Sequence, residues 1–188
     1  MFDHFAVLAP YYDRVIGPPD PERLRALLRL PVAGRMLDAG GGTARVSAQL
    51  RPYVRELVLA DVSPPMLDQA RGKTDLHPLV SQAERLPFPD GSFERVLVVD
   101  ALHHFHDQSG AIADLVRVLS PGGRLVIEEP NLDRLTVKFI ALVEKMALMR
   151  SHFYRPEAIR DMVAAHNLAT EIVHDNNITS WVIADKKA

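Results

Sequence analysis

The sequence predicts an α/β fold in which helices cover both faces of a mostly parallel sheet. Segments of strand length alternate with segments of helical periodicity over most of the chain, which is typical of βαβ units. The strand-like runs at 57–60 and 96–99 are continuously apolar, and this pattern indicates strands buried on both faces. Three of the strands are directly followed or ended by an acid, at Asp38, Asp61 and Asp100.

The predicted elements can be assigned in chain order. The helix at 22–28 is amphipathic because Leu24, Leu27 and Leu28 recur at helical spacing. The predicted strands are Met36-Leu37, 56–61, 77–81, 93–100, 124–129, 169–174 and 178–183, and the further predicted helices are 45–53, 64–70, 111–119, 136–149 and 156–165. The last two strands are separated by too few residues for a crossover helix, so they must pair antiparallel.

Length and composition are typical of an ordinary soluble globular protein and not of a disordered or fibrous one. The 188 residues are expected to form one domain over 1–188, with helical segments at 1–30 and 130–166. A net charge of −2 argues against a nucleic-acid partner, and the absence of cysteine excludes disulfides and thiolate chemistry. No signal peptide or bilayer-length apolar run is recognised, so no stable membrane insertion and a cytoplasmic location are expected. Monomer and homodimer both remain open.

The stretch from Asp38 to Arg45 is predicted to be a ligand-binding turn. Three consecutive glycines follow a buried strand and precede a helix start, and glycine lets the backbone bend sharply and approach a ligand closely. The dinucleotide fingerprint G-x-G-x-x-G is a poor match, because Arg45 occupies its third glycine position. An ordinary tight turn remains the alternative at this point.

Polar residues are expected to converge on one edge of the sheet, at the carboxyl ends of the strands, where open α/β sheets bind ligands. They comprise the glycine turn, Asp61 after the second strand, 82–84 after the third, and Asp100 with histidines after the fourth. Asp61 stands where a ribose-binding acid is expected, because a carboxylate can accept from both ribose hydroxyls. The alternative for Asp61 is a helix cap.

Four motifs in order resemble class I S-adenosylmethionine (SAM) dependent methyltransferases. Residues 37–42 resemble the first family motif, 60–67 the ribose stretch, 82–93 the adenine stretch and 117–125 the turn into strand five. The chain is most similar to the type 11 group that includes the ubiquinone/menaquinone C-methyltransferases. This resemblance implies a doubly wound, Rossmann-like sheet of seven strands with an antiparallel C-terminal strand, and methyl transfer from SAM to a small-molecule acceptor, which leaves S-adenosylhomocysteine (SAH).

The resemblance also implies that residues 1–30 form a helical lid over the cofactor and that residues 130–166 form a helical segment on the acceptor side. It further implies a set of cofactor contacts. The Gly40 and Gly42 backbones with Thr43 would hold the methionine end, Asp61 the ribose and Met66 the adenine. The complete set of implied cofactor residues is Tyr12, Asp38, Gly40, Gly42, Thr43, Asp61, Val62, Met66, Gln82, Ala83, Glu84, Asp100 and Ala101. The chain departs from the family at Gln82, where Asp is common, and at Ala44, where glycine is usual; Ala44→Gly is expected to preserve SAM binding.

The histidines at 103, 104 and 106 are candidates for several roles. A metal site is disfavoured because adjacent imidazoles point in different directions on a regular backbone, so no metal is predicted. His103 or His104 is the predicted general base, should the acceptor have to lose a proton. His152, Tyr154 and Arg155 are further pocket candidates. Two other functions remain open: a SAM-binding module without catalysis, and a nicotinamide-dependent oxidoreductase.

Overall fold

The computed structural model describes residues 20–73, 75–130, 152–175 and 179–188. Tyr12, most of the predicted lid and the predicted helix at 136–149 lie outside these ranges. None of the helices within them is both long and apolar enough to cross a bilayer.

A seven-stranded sheet forms the centre of the fold, as expected. Its strands are β1 (Val32–Ala39), β2 (Val54–Asp61), β3 (His77–Val80), β4 (Phe93–Val99), β5 (Leu119–Pro130), β6 (Ala169–Asp175) and β7 (Thr179–Asp185). The spatial order is β3-β2-β1-β4-β5-β7-β6. Pairs from β3 to β5 are parallel, while β7 is antiparallel to both neighbours. The strand order reverses between β1 and β4, so a crevice is expected there.

Helices cover both faces of the sheet. They are α1 (Pro21–Leu28), α2 (Ser47–Leu50), α3 (Pro64–Ala70), α4 (Gln108–Val118) and α5 (Pro156–Ala164), with 3₁₀ turns at Arg51–Tyr53 and Leu102–His104. The core has a part on each face of the sheet, and adjacent residues of β1 belong to different parts, because successive side chains of a strand point to opposite faces. Met36 packs with Leu24 and Leu28 of α1, whereas Leu37 lies in the cluster that contains α4 and α5. Each fully buried aliphatic side chain of this kind contributes about 1.5–3 kcal/mol.

The predicted helix at 45–53 is wrong in its extent. Residues 42–46 form turns, α-helical geometry covers only Ser47–Leu50, and a 3₁₀ turn follows at Arg51–Tyr53. Ala44 has a left-handed backbone with φ +62°, so the right-handed helix cannot extend back across it.

Other element boundaries also differ from the prediction, among them the starts of β1 at Val32, of α4 and of β5. The helix predicted at 111–119 begins three residues earlier, because the Asp107 side chain accepts a hydrogen bond from the Gly110 N–H at 2.9 Å and caps α4. The β5 pairing with β4 already includes Leu119 opposite Phe93, and resumes at Arg124 opposite Arg95 after a register shift. The 120–123 turn therefore interrupts a strand that starts earlier than predicted.

Candidate functional site

A cavity of about 280 Å³ opens at the carboxyl ends of the central strands. It contains every cofactor residue predicted from the sequence that the structure describes. Its lining consists of Asp38, Ala39, Gly40, Gly41, Gly42, Thr43, Arg45, Val46, Ala60, Asp61, Val62, Met66, Ser81, Gln82, Ala83, Glu84, Val99, Asp100, Ala101, His104, Phe105 and His106. Tyr12 lies outside the described residues. The individual contacts that these residues make with a ligand remain predictions.

The glycine loop forms one wall and leaves little room for side chains. Gly40 and Gly42 have φ of +75° and +54°, which favours glycine. A Cβ added at Gly40 would lie 2.5 Å from Ala101 Cβ, and one at Gly41 would lie 2.2 Å from Leu59 Cδ1. The loop backbone is thus held close to both β2 and the turn after β4.

The Asp61 carboxylate joins two loops while facing the cavity. One oxygen accepts from the Gly42 N–H at 2.9 Å, and the other accepts from the Ser63 N–H at 2.8 Å, just before α3. The capping alternative is wrong, because Ser63 occupies the N-cap position of α3 and no side chain caps that helix; the Asp61 contact with the Ser63 N–H shapes the turn before the helix instead. Because two backbone donors orient the carboxylate, it is held in place before a ligand arrives.

Asp38 is almost completely buried beneath the loop. Its carboxylate accepts a hydrogen bond from the Ser47 hydroxyl at 2.5 Å, which ties the end of β1 to the start of α2. Burial raises the pKa of Asp38 to about 6, although the Ser47 bond and the nearby Arg45 charge act in the opposite direction. Asp38 therefore binds its proton more strongly than an exposed carboxyl group does.

An ion pair between Arg45 and Asp100 crosses the cavity wall, and sequence reasoning did not predict it. The Arg45 Nη2 lies 3.0 Å from Asp100 Oδ2, and only 8% of the Arg45 side chain is exposed. Asp100 has φ +50°, so the backbone turns sharply after β4. A signal was present in the sequence, since a cation directly after the glycine turn and an acid ending the fourth strand both belong to the expected ligand edge.

The two adjacent histidines have different surroundings. His104 lines the cavity. Burial and the neighbouring His103 lower the pKa of His104 to about 3, which disagrees with the near-neutral titration on which its predicted role as a base rested. His103 is not part of the cavity lining; its Nδ1 lies 2.6 Å from Glu129 Oε2 in a buried pair. The sequence could not distinguish the surroundings of the two histidines, because these depend only on which side of a 3₁₀ turn each side chain occupies.

Comparisons with known proteins agree with this geometry. A family described as a methyltransferase domain matches residues 37–127. The demethylmenaquinone methyltransferase of Thermus thermophilus is 38% identical over 66% of this chain and 63% of its own length. The ubiquinone/menaquinone biosynthesis C-methyltransferase of Vibrio campbellii is 31% identical over 80% of this chain and 69% of its own length. The chain thus matches about two thirds of each relative.

Solved structures share the fold at low sequence identity. A methyltransferase from Haloferax volcanii, determined in complex with the Trm112 activator, superposes with a TM-score of 0.80 at 19% identity over the full length of both chains. The YcgJ protein of Bacillus subtilis superposes with a TM-score of 0.77 at 18% identity, covering 89% of this chain and 98% of that one. These superpositions show a shared fold. The sequence matches, above all the Vibrio relative, show that the chain belongs to the class I SAM-dependent methyltransferases, in the group that includes the ubiquinone/menaquinone C-methyltransferases.

Proposed function

We propose that this methyltransferase acts on a ring carbon of a small hydroxylated aromatic acceptor of the quinol type. Two observations support this choice of acceptor. The Thermus and Vibrio relatives carry names that specify methylation of a menaquinone precursor and C-methylation in quinone biosynthesis. One wall of the cavity is built from His104, Phe105 and His106, whose flat rings suit a planar ring. This aromatic wall beside the glycine loop is the observation that carries the proposal.

The residues of the cavity fit SAM as the cofactor. The described lining residues include four carboxyl groups, at Asp38, Asp61, Glu84 and Asp100, against one guanidinium, at Arg45. Such a balance favours a ligand that carries positive charge on a sulfonium and an ammonium group. The glycines leave the loop backbone accessible to a ligand, and the surroundings of Gly40 and Gly41 leave no room for a Cβ. When bound, SAM supplies a methyl group made electrophilic by the sulfonium.

Each wall of the cavity then has a proposed task. Gly40, Gly42 and Thr43 hold the methionine end of the cofactor, with Asp100 and Ala101 on the opposite side. Asp61 accepts hydrogen bonds from the ribose hydroxyls. Val62, Met66, Gln82, Ala83 and Glu84 surround the adenine. The Gln82 side-chain oxygen can accept from the adenine amine without carrying a charge.

His104 is proposed to orient a ring hydroxyl of the acceptor. A neutral imidazole has one nitrogen that accepts a hydrogen bond, and the depressed pKa of His104 keeps the ring neutral at physiological pH. The same pKa makes His104 a weak proton acceptor, so an orienting role replaces that of a general base. The proton that the ring carbon gives up in exchange for the methyl group is released to solvent. The protein otherwise contributes alignment of the reacting atoms and exclusion of water.

The proposal is tested by incubating the purified chain with SAM and a chemically reduced, short-tailed demethylmenaquinone. Chromatography with mass spectrometry should detect SAH and a quinone product heavier by one methylene unit. Gly40→Val serves as the control without a functional cofactor loop. Binding of SAH by calorimetry without methylation of the quinol would refute the acceptor, and failure to bind SAH would refute the cofactor site.

A further inference from the structure

A buried carboxylate–imidazole pair lies directly behind the aromatic wall of the cavity. Glu129, near the end of β5, and His103 are each only 4% exposed. One Glu129 oxygen lies 2.6 Å from His103 Nδ1, and the other accepts from the Leu102 N–H at 2.8 Å. An ionised carboxylate only accepts, so this contact with an ionised Glu129 requires the proton of His103 at Nδ1. Glu129 thus binds the 3₁₀ turn at both its backbone and its central side chain.

The turn Leu102–His104 contacts the cavity through His104 and contacts residues 152–153 through His103. The His103 and His104 ring centroids are 3.9 Å apart, and His104 lines the cavity. On the far side, Phe153 stacks on the His103 ring at a centroid distance of 4.2 Å. The His152 N–H donates to the His103 carbonyl at 2.8 Å. Residues 152–153 are therefore docked onto the turn that presents His104.

Asp100, which lines the proposed cofactor side of the cavity next to this turn, is held by separate contacts. The Asp100 N–H, just after the end of β4, donates to the Glu128 carbonyl at 3.2 Å, and the Asp100 side chain pairs with Arg45 at 3.0 Å. Neither contact involves Glu129 or His103. Removing the Glu129 carboxylate should consequently displace His104 while leaving Asp100 in place.

We propose that Glu129 and His103 form a positioning pair for the acceptor side of the cavity. The pair holds the turn Leu102–His104 so that His104 faces the acceptor, and it docks residues 152–153 against the same turn. Glu129 and His103 act through His104 and do not themselves touch the reacting atoms. This inference depends on the proposed function only for the identity of the acceptor.

Two variants at Glu129 separate chemistry from packing. Glu129→Gln retains one acceptor for the Leu102 N–H but offers an N–H to His103, so His103 should lose its Nδ1 proton and bind it at Nε2. Glu129→Leu removes both contacts and should lower kcat for quinol methylation on the order of a hundredfold, the cost of a misplacement of about 1 Å. The Kd for SAH should stay within about threefold, a difference of less than 1 kcal/mol.

Nuclear magnetic resonance of ¹⁵N-histidine provides a readout that does not need the acceptor. The wild-type spectrum should show His103 protonated at Nδ1, and Glu129→Leu should shift the His104 signals. His103→Asn and His103→Leu form a second pair of variants, because the Asn amide can reproduce the Nδ1 donor and should restore most of the activity that the Leu variant loses. Glu56→Leu is the matched control: it removes a carboxylate paired with Arg35 at 2.8 Å, outside the cavity lining, and should leave kcat unchanged.

The outcomes distinguish this proposal from the proposed function. Unchanged His104 signals in folded Glu129→Leu, SAH affinity falling in parallel with kcat, or equal activity of the two His103 variants would each overturn the positioning pair. Should Glu129→Leu fail to fold, the comparison of the His103 variants decides. A wild-type chain that binds SAH but does not methylate the quinol refutes the acceptor, and the shift of the His104 signals then decides whether the pair holds His104.

Discussion

Ala44→Gly tests how the glycine loop is built. Ala44 has φ +62° and is fully buried. An L-residue in the left-handed region costs roughly 1–2 kcal/mol, which glycine would recover. Two losses oppose this gain: the buried methyl group contributes about 0.8 kcal/mol, and the added freedom of the unfolded chain costs about 0.4–1 kcal/mol. These terms nearly cancel, so the free energy of unfolding should change by less than about 1 kcal/mol.

Gly40→Ala is the matched change in the opposite direction. Its Cβ would meet Ala101 Cβ at 2.5 Å while the backbone keeps φ +75°, and strain and overpacking together should cost about 2–5 kcal/mol. Urea denaturation measures both stabilities, and calorimetry measures SAH binding. Ala44→Gly should bind SAH within about threefold of wild type, whereas Gly40→Ala should lose at least tenfold, or about 1.4 kcal/mol. Loss of SAH affinity in folded Ala44→Gly, or neutral behaviour of Gly40→Ala, would refute this description of the loop.

Two further substitutions and one titration of the wild-type chain test the ionisable groups that line the cavity. The pKa of Asp38 is raised from 3.8 to about 6, so the stability that this group contributes is complete below pH 4 and is lost as the pH rises through 6. Asp38→Asn should remove about 2–3 kcal/mol of that pH dependence, at about 1.36 kcal/mol per unit, and parallel urea-denaturation profiles for the two proteins would contradict it. Arg45→Gln should raise the pKa of Asp38 further, because the Arg45 charge lowers it; a carbon-13 titration of the Asp38 carboxyl that shows no upward shift would contradict this. The pKa of His104 lies at about 3, so its ¹⁵N signals should show no protonation between pH 5 and 8, and a midpoint within that range would disprove the neutral ring.

Much of the fold could be predicted because its signals are local and repeated. Continuous apolar runs identified the buried strands, and the short link before β7 required an antiparallel pair. The errors arose where one side chain or a local change of backbone geometry decides a boundary. Asp107 starts α4 by accepting a single hydrogen bond, and α2 ends where the backbone changes to a 3₁₀ turn at Arg51–Tyr53. Neither effect alters hydrophobic periodicity, so periodicity could not reveal them.

The candidate site, like the fold, was only partly predictable from the sequence. The glycine loop, Asp61 and residues 82–84 were predictable because each follows a strand, and parallel strands bring their carboxyl ends to one edge. The Arg45–Asp100 and Glu129–His103 pairs were not predicted, since their members are 55 and 26 residues apart. Contacts of that kind depend on strand order and on side-chain direction.

The sequence by itself determined the family, the fold class and the edge of the sheet where the cofactor belongs, because these follow from motif order and apolar patterning. Only the tertiary structure decided what each polar residue at that edge does. Burial raises the pKa of Asp38 and lowers the pKa of His104, so that the His104 imidazole is neutral. The 3₁₀ turn places His103 against Glu129 and His104 against the cavity. Protonation and orientation depend on desolvation and on distant partners, which exist only once the chain has folded.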